Sequence, residues 1–219
     1  MCTVMTTPRC EIDFLTVVLI GNFNPSIMQP RWMAGAGLLG EEEAKSAKVS
    51  IIAQDMAMFE VGEWLSMQVT TERFQAMGPF SHALKIRDLV VGLFSVLEHT
   101  PVAHLGINRG MHFRLTDLAT RDALGERLVP PTVWPSRFGE PKMNSLRMRG
   151  ARAGSDAEWI TMTVEPSVQI PETGVYLSSN EHYQCDGAEH AVRLLRSRLE
   201  ASVRFARELA DALLSGATE

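Results

Sequence analysis

The spacing of apolar and polar positions changes several times along the chain, and each change marks an element. Phe14–Ile20, FLTVVLI, is apolar or β-branched throughout and predicts a central strand covered on both faces. Gly21, Asn22, Asn24 and Pro25 end it. Ser26–Leu39 reads as a loop with one short helix. Strands are predicted at Val49–Ala53 and Trp64–Val69, the latter with Leu65, Met67 and Val69 on one face and Trp64, Ser66 and Gln68 on the other. A helix follows from His82 to Glu98, capped by Ser81. Its apolar side carries Leu84, Ile86, Leu89, Val90, Leu93, Phe94 and Leu97.

Beyond Pro101 the pattern repeats in outline. Val102–Ile107 alternates as a strand, and Leu115–Leu128 holds a short helix with Thr116 as its cap. Strands follow at Ser145–Arg149, Trp159–Val164 and Gly174–Ser178. The strongest periodic signal is the last. Val192, Leu195, Leu199, Val203, Ala206, Leu209 and Leu213 recur every three or four residues, and Asp186 stands before them as a cap. A helix from there to Leu214 would be about 42 Å long. It is long enough to reach past its own sheet onto the rest of the molecule or onto a second copy.

Two segments about 95 residues apart, GEWLSMQVTTERF at Gly62–Phe74 and AEWITMTVEPSVQ at Ala157–Gln169, share an opening Glu-Trp and the same alternation of Met and Val. Each precedes an apolar helix. The expectation is an α+β fold of two related, mainly antiparallel sheet-and-helix halves with a long C-terminal helix. The helices cover one face of two sheets or of one continuous sheet. Residues 1–128 form the first half and 142–219 the second. The proline-rich stretch 129–141, containing Pro130, Pro131 and Pro135, is a stiff connector without continuous helix.

Composition narrows the class without naming a function. A chain of 219 residues, 45% hydrophobic and 21% charged, can bury a sizeable core. A net charge of −5 offers no electrostatic case for duplex nucleic acid. Cys2, Cys10 and Cys185 complete neither a disulfide framework nor a zinc motif, so reduced thiols in the cytoplasm are expected. Phe14–Ile20 is too short to span a membrane and has acidic flanks. The twelve methionines serve packing or an adaptable interface.

No catalytic signature stands out, and no cofactor or metal is expected. The densest polar cluster is Asn108, Arg109 and His112 at a strand end. There Arg109 could fork onto a carboxylate or phosphate of a ligand, or pair with an acid of its own chain. As an anchor, Arg109 would lose binding on replacement by alanine while the fold stayed intact. Asn22 and Asn24 offer amides to a ligand but are also ordinary turn formers. Arg147 and Arg149 project from one strand face, with Arg152 nearby, as a patch for an acidic partner or RNA, or as a solvated face. A Cys-His nucleophile at Cys185 would need His182 or His190 beside it. The leading expectation is a non-enzymatic protein-interaction or accessory protein, a class that includes defence- and immunity-associated proteins, acting on a protein partner or on itself as a dimer. A small-molecule-binding protein or enzyme with a cleft between the halves is the alternative, Arg109 and His112 meeting Asn22 or Asn24 there. Nucleic-acid binding comes third and requires the arginines to join in one positive surface.

Overall fold

A computed structural model describes residues 8–215, so Cys2 lies outside the described residues. Nine strands run β1 (Arg9–Gly21), β2 (Lys48–Ile52), β3 (Met56–Val61), β4 (Leu65–Thr70), β5 (Arg73–Pro79), β6 (Val102–Arg114), β7 (Leu146–Gly150), β8 (Trp159–Pro166) and β9 (Gly174–Gln184). Five helices lie between and after them: α1 (Pro30–Gly35), α2 (Glu41–Lys45), α3 (Ala83–Val96), α4 (Leu118–Leu128) and α5 (Ala188–Leu214). The strands form one sheet in the order β2-β3-β4-β5-β1-β6-β9-β8-β7, and every pair is antiparallel. The fold is α+β.

Strand alternation gives the sheet two unlike faces. Leu15, Val17 and Leu19 of β1, Leu105 and Ile107 of β6, and Leu65, Met67 and Val69 of β4 point into one core. That core is closed by Ile86, Leu93 and Phe94 of α3 and by Leu195 and Leu199 of α5. Phe74 and Phe94 meet edge-on with centroids 5.0 Å apart, a favourable quadrupole arrangement. Farther along, Ala206, Ala210 and Leu214 of α5 meet Met111, Phe113, Val164, Val175 and Leu177, with Leu124 of α4. The length of α5 is thus used inside the monomer, where it bridges both core clusters. Its start differs from expectation: the cap position is Gly187, at φ 93°, and Asp186 makes no capping bond. Helix α3 likewise follows a 3-10 turn, Phe80–His82, without a Ser81 cap, and α4 is capped by Asp117, whose carboxylate accepts from the Thr120 amide at 2.7 Å.

The strand at Phe14–Ile20 is central, flanked by β5 and β6, and Leu15–Leu19 are all buried. Among the described residues no helix lies on its second face, where Thr16 and Val18 are nonetheless buried. The segment 129–141 contains only a 3-10 turn at Pro131–Val133. It interrupts the chain but not the sheet, since β6 before it and β9 after it pair from His104↔Gln184 to Arg114↔Gly174. The expected equivalence of the two tryptophans is not met. Trp64 lies in the turn before β4, donates its indole N–H to Glu43 at 3.1 Å and sits under the Lys85 ammonium in the helix-covered core. Trp159 opens β8 and stacks on His182. A residue in a turn is free of strand alternation, so the shared Glu-Trp does not impose a shared direction.

Candidate functional site

Among the described residues, no helix covers the face of the sheet opposite α3 and α5. At one end of that face lies a groove of about 940 Å³, lined from β1, the start of β2, the β3–β4 turn, β5, β6, the β8–β9 loop and β9. Its floor is aromatic. His112 and Tyr176, directly opposed on β6 and β9, stack with centroids 4.6 Å apart, and Phe14 lies parallel to Tyr176 at 6.3 Å. Gly110 makes room for this: a Cβ there would stand 2.2 Å from the Phe14 ring. A bulge in β1 sets the mouth, because Cys10 pairs with Phe113 and Ile12 with His112, leaving Glu11 as an extra residue.

The rim is acidic. Glu11 is neutralised by a forked pair with Arg114 at 2.7 and 2.9 Å, which lowers the Glu11 pKa. Glu165 accepts only the Ser145 hydroxyl, at 2.9 Å, and Glu60 and Glu63 have no ion pair among the described residues. Among the described residues, Lys48 is the one lysine or arginine lining the same groove.

Burial pushes the His112 pKa below its usual value. Its Nδ1 lies 2.8 Å from the Ser167 hydroxyl. This resembles a nucleophile and its base, but Ser167 Oγ already accepts the amides of Gln169 at 3.1 Å and Ile170 at 2.9 Å, and the residue is buried. With both lone pairs engaged, the oxygen is a poor attacking group, and the pair braces the β8–β9 loop. Cys185 faces the helix core, and burial pushes its thiol up to about 11. His182, three residues earlier, points to the other face, so it does not stand beside Cys185 as a base.

Alternation also divides the cluster singled out on β6. Asn108 and His112 lie on the open face, while Arg109 points under α5. Its guanidinium forks onto Asp13 at 3.0 and 2.6 Å, donates to the Val203 carbonyl at 2.7 Å and stacks on Phe80 at 3.7 Å. Arg109 is a buried strut between sheet and helix. Asn108 donates to the Thr16 carbonyl at 3.1 Å and accepts from Asn180, its cross-strand neighbour. Asn24 holds a turn, its side-chain oxygen accepting from the amide and hydroxyl of Ser26. Asn22 follows the far end of β1. Since Ile12 pairs with His112, about ten strand residues, or about 33 Å, separate Asn22 from His112. The expected meeting of these residues in one cleft is therefore corrected.

The arginine patch is split in the same way. Arg147 and Arg149 are exposed on β7, with Arg149 over the Trp159 ring at 4.6 Å. Arg152 turns inward and donates to the buried Glu181 at 2.7 Å, while the Tyr183 hydroxyl donates to the same carboxylate at 2.6 Å. With Arg109 and Arg152 both paired to internal acids, neither joins Arg147 and Arg149 in one positive surface.

Sequence reading missed the groove. Its residues come from seven separate stretches, and only the alternation of Phe14, His112 and Tyr176 within apolar strands carried any signal. It also missed a second grouping at the opposite end of the open face, where His104 and His182, 78 positions apart, come within 3.1 Å.

No helix among the described residues is long and apolar enough to cross a membrane. No protein-family model matches the chain, and no curated protein matches it. Among solved structures, the di-domain ARO/CYC StfQ from the steffimycin biosynthetic pathway aligns over 94% of this chain and 99% of its own, at 9% identity and a TM-score of 0.28.

Proposed function

We propose that this is a non-enzymatic binding protein whose open-face groove receives a segment of a partner protein bearing apolar and basic side chains. The observation that carries this reading is the pairing of an aromatic floor, Phe14, His112 and Tyr176, with the rim carboxylates Glu60, Glu63 and Glu165, which form no ion pair within 4 Å among the described residues, although Lys48 stands across the strand from Glu60. A lysine or arginine stem covers apolar surface while its charged head reaches a carboxylate. Aromatic rings supply contact area at little conformational cost. A negative rim also steers cationic segments toward the site.

The Ser167 hydroxyl beside His112 is tied to two backbone amides, which supports binding over nucleophilic chemistry at that pair. A second reading is favoured by the size of the groove. At about 940 Å³ it lies within the range of small-molecule sites, so a cationic aromatic or aliphatic compound would also fit.

The test is fluorescence polarisation with short peptides of matched hydropathy and opposite charge. Basic-apolar peptides should bind, and the triple variant Glu60→Gln, Glu63→Gln, Glu165→Gln should weaken them by about tenfold or more, with a reduced dependence on salt. Equal binding of acidic and basic peptides, or an unchanged affinity in the variant, would sink the reading. Native mass spectrometry that finds a stoichiometric small cation in the purified protein, displaced by Tyr176→Ala, would favour the second reading.

A further inference from the structure

Away from the groove, at the other end of the open face, three potential ligand atoms converge. His104 Nδ1 and His182 Nε2 are 3.1 Å apart, and His182 Nε2 lies 3.4 Å from Glu158 Oε2. All three atoms fall within 4.8 Å of one another. Around a tetrahedral zinc with bonds of about 2.0–2.1 Å, ligand atoms stand about 3.3 Å apart. Two of the edges already have that length. The third closes by rotation of the exposed Glu158 side chain.

We propose that His104, His182 and Glu158 bind a zinc-class divalent cation. The fold prepares the site in three ways. His182 pairs across the sheet with Gly106, which leaves the space beside its ring open, and His104 sits diagonally from it on β6. Trp159, directly opposite on β8, stacks on the His182 imidazole at 4.3 Å with an interplanar angle of 5° and so fixes the ring plane. The amide of Glu158 donates to the His182 carbonyl at 2.8 Å, which ties the carboxylate ligand to the same strand position. A ring held by stacking and a Glu158 backbone held beside it reduce the ordering needed on binding, which is left to the turn of the Glu158 side chain.

Two imidazoles and one carboxylate suit zinc, cobalt, nickel or copper and do not suit magnesium or calcium, which take oxygen donors. Three protein ligands leave a fourth position toward the open face, available to water or to a donor from a bound partner. The cation site does not depend on the occupant of the groove. His99, His82 and His190 stand elsewhere and are not part of it.

The test is isothermal titration of the untagged full chain with zinc, and in parallel with cobalt, whose visible absorption reports tetrahedral coordination. One equivalent should bind, magnesium should not compete, and Trp159 fluorescence should change on cobalt addition. His104→Ala and His182→Ala should each weaken zinc by more than about 100-fold, beyond the loss typical of an outer-shell change, and Glu158→Gln by about tenfold. Circular dichroism should be preserved, because these residues lie on the face away from the core. If His182→Ala fails to fold, His104→Ala and Glu158→Gln decide the matter. Absence of saturable zinc binding by the unaltered chain overturns the proposal. So does binding that the histidine substitutions leave unchanged, since the ion would then sit elsewhere.

Discussion

Replacing Arg109 with alanine tests how the sheet is joined to α5. The side chain is buried and makes two charge-assisted bonds to Asp13 and one to the Val203 carbonyl, with its flat guanidinium on Phe80. Bonds of this kind contribute about 1.5–3 kcal/mol each. They do not sum here, because Val203 lies within a helix and Asp13 keeps 24% of its side chain exposed, so water repays part of the loss. Breaking a fully buried pair costs about 3–5 kcal/mol. The expected loss is therefore about 3–4 kcal/mol, a large share of a typical total of about 5–15 kcal/mol. In urea, with a slope of about 3 kcal/mol per molar for a chain of this size, the midpoint should fall by about 1 M. Lysine should recover only part, because an ammonium cannot fork onto a carboxylate. A double-mutant cycle of Arg109→Met with Asp13→Asn should show coupling above about 1 kcal/mol. A midpoint shift below about 0.3 M, or strictly additive substitutions, would refute the strut. This outcome belongs to the reading in which Arg109 pairs with an acid of its own chain, and is opposite to the anchor reading, in which alanine would impair binding and spare the fold.

Two further outcomes follow from the same structure. Leu199→Asp places a carboxylate at a position 1% exposed between α5, α3 and the sheet, so the variant should lose its native circular dichroism outright; a folded variant of altered mass in sedimentation would instead indicate an interface between copies. The His112 pKa is lowered by burial, so the unfolded chain binds the proton more readily; stability should be full above about pH 6.5 and fall as pH drops through the lowered value. His112→Gln should flatten that part of the urea-midpoint profile, and a profile identical to the unaltered chain would remove His112 as its source.

Much of the architecture was legible because it rests on local periodicity. The α+β class, the central strand Phe14–Ile20, the helix at His82–Glu98 and the long final helix follow from side-chain spacing of two or of three to four, and those spacings report burial directly. The α4 cap shifted by one residue, Asp117 rather than Thr116, but β6 and β9 run on to Arg114 and Gln184, past their expected ends at Ile107 and Ser178, so Asn108, Arg109 and His112 stand within a strand and not at its end. The same alternation could have warned that Asn108 and Arg109, adjacent in sequence, must point to opposite faces.

What the sequence left open was set by strand order. Nothing local places β6 beside both β1 and β9, yet this pairing brings His112 to Tyr176, His104 to His182, and Arg109 to Asp13. It also decides that 129–141 is a loop beside one sheet and that α5 closes the core of its own chain. The chain alone determined which residues alternate and which faces are apolar, because propensity and burial act over a few neighbours. Tertiary structure alone decided which alternating residues share a face across strands, because register is a property of pairing between segments far apart in sequence.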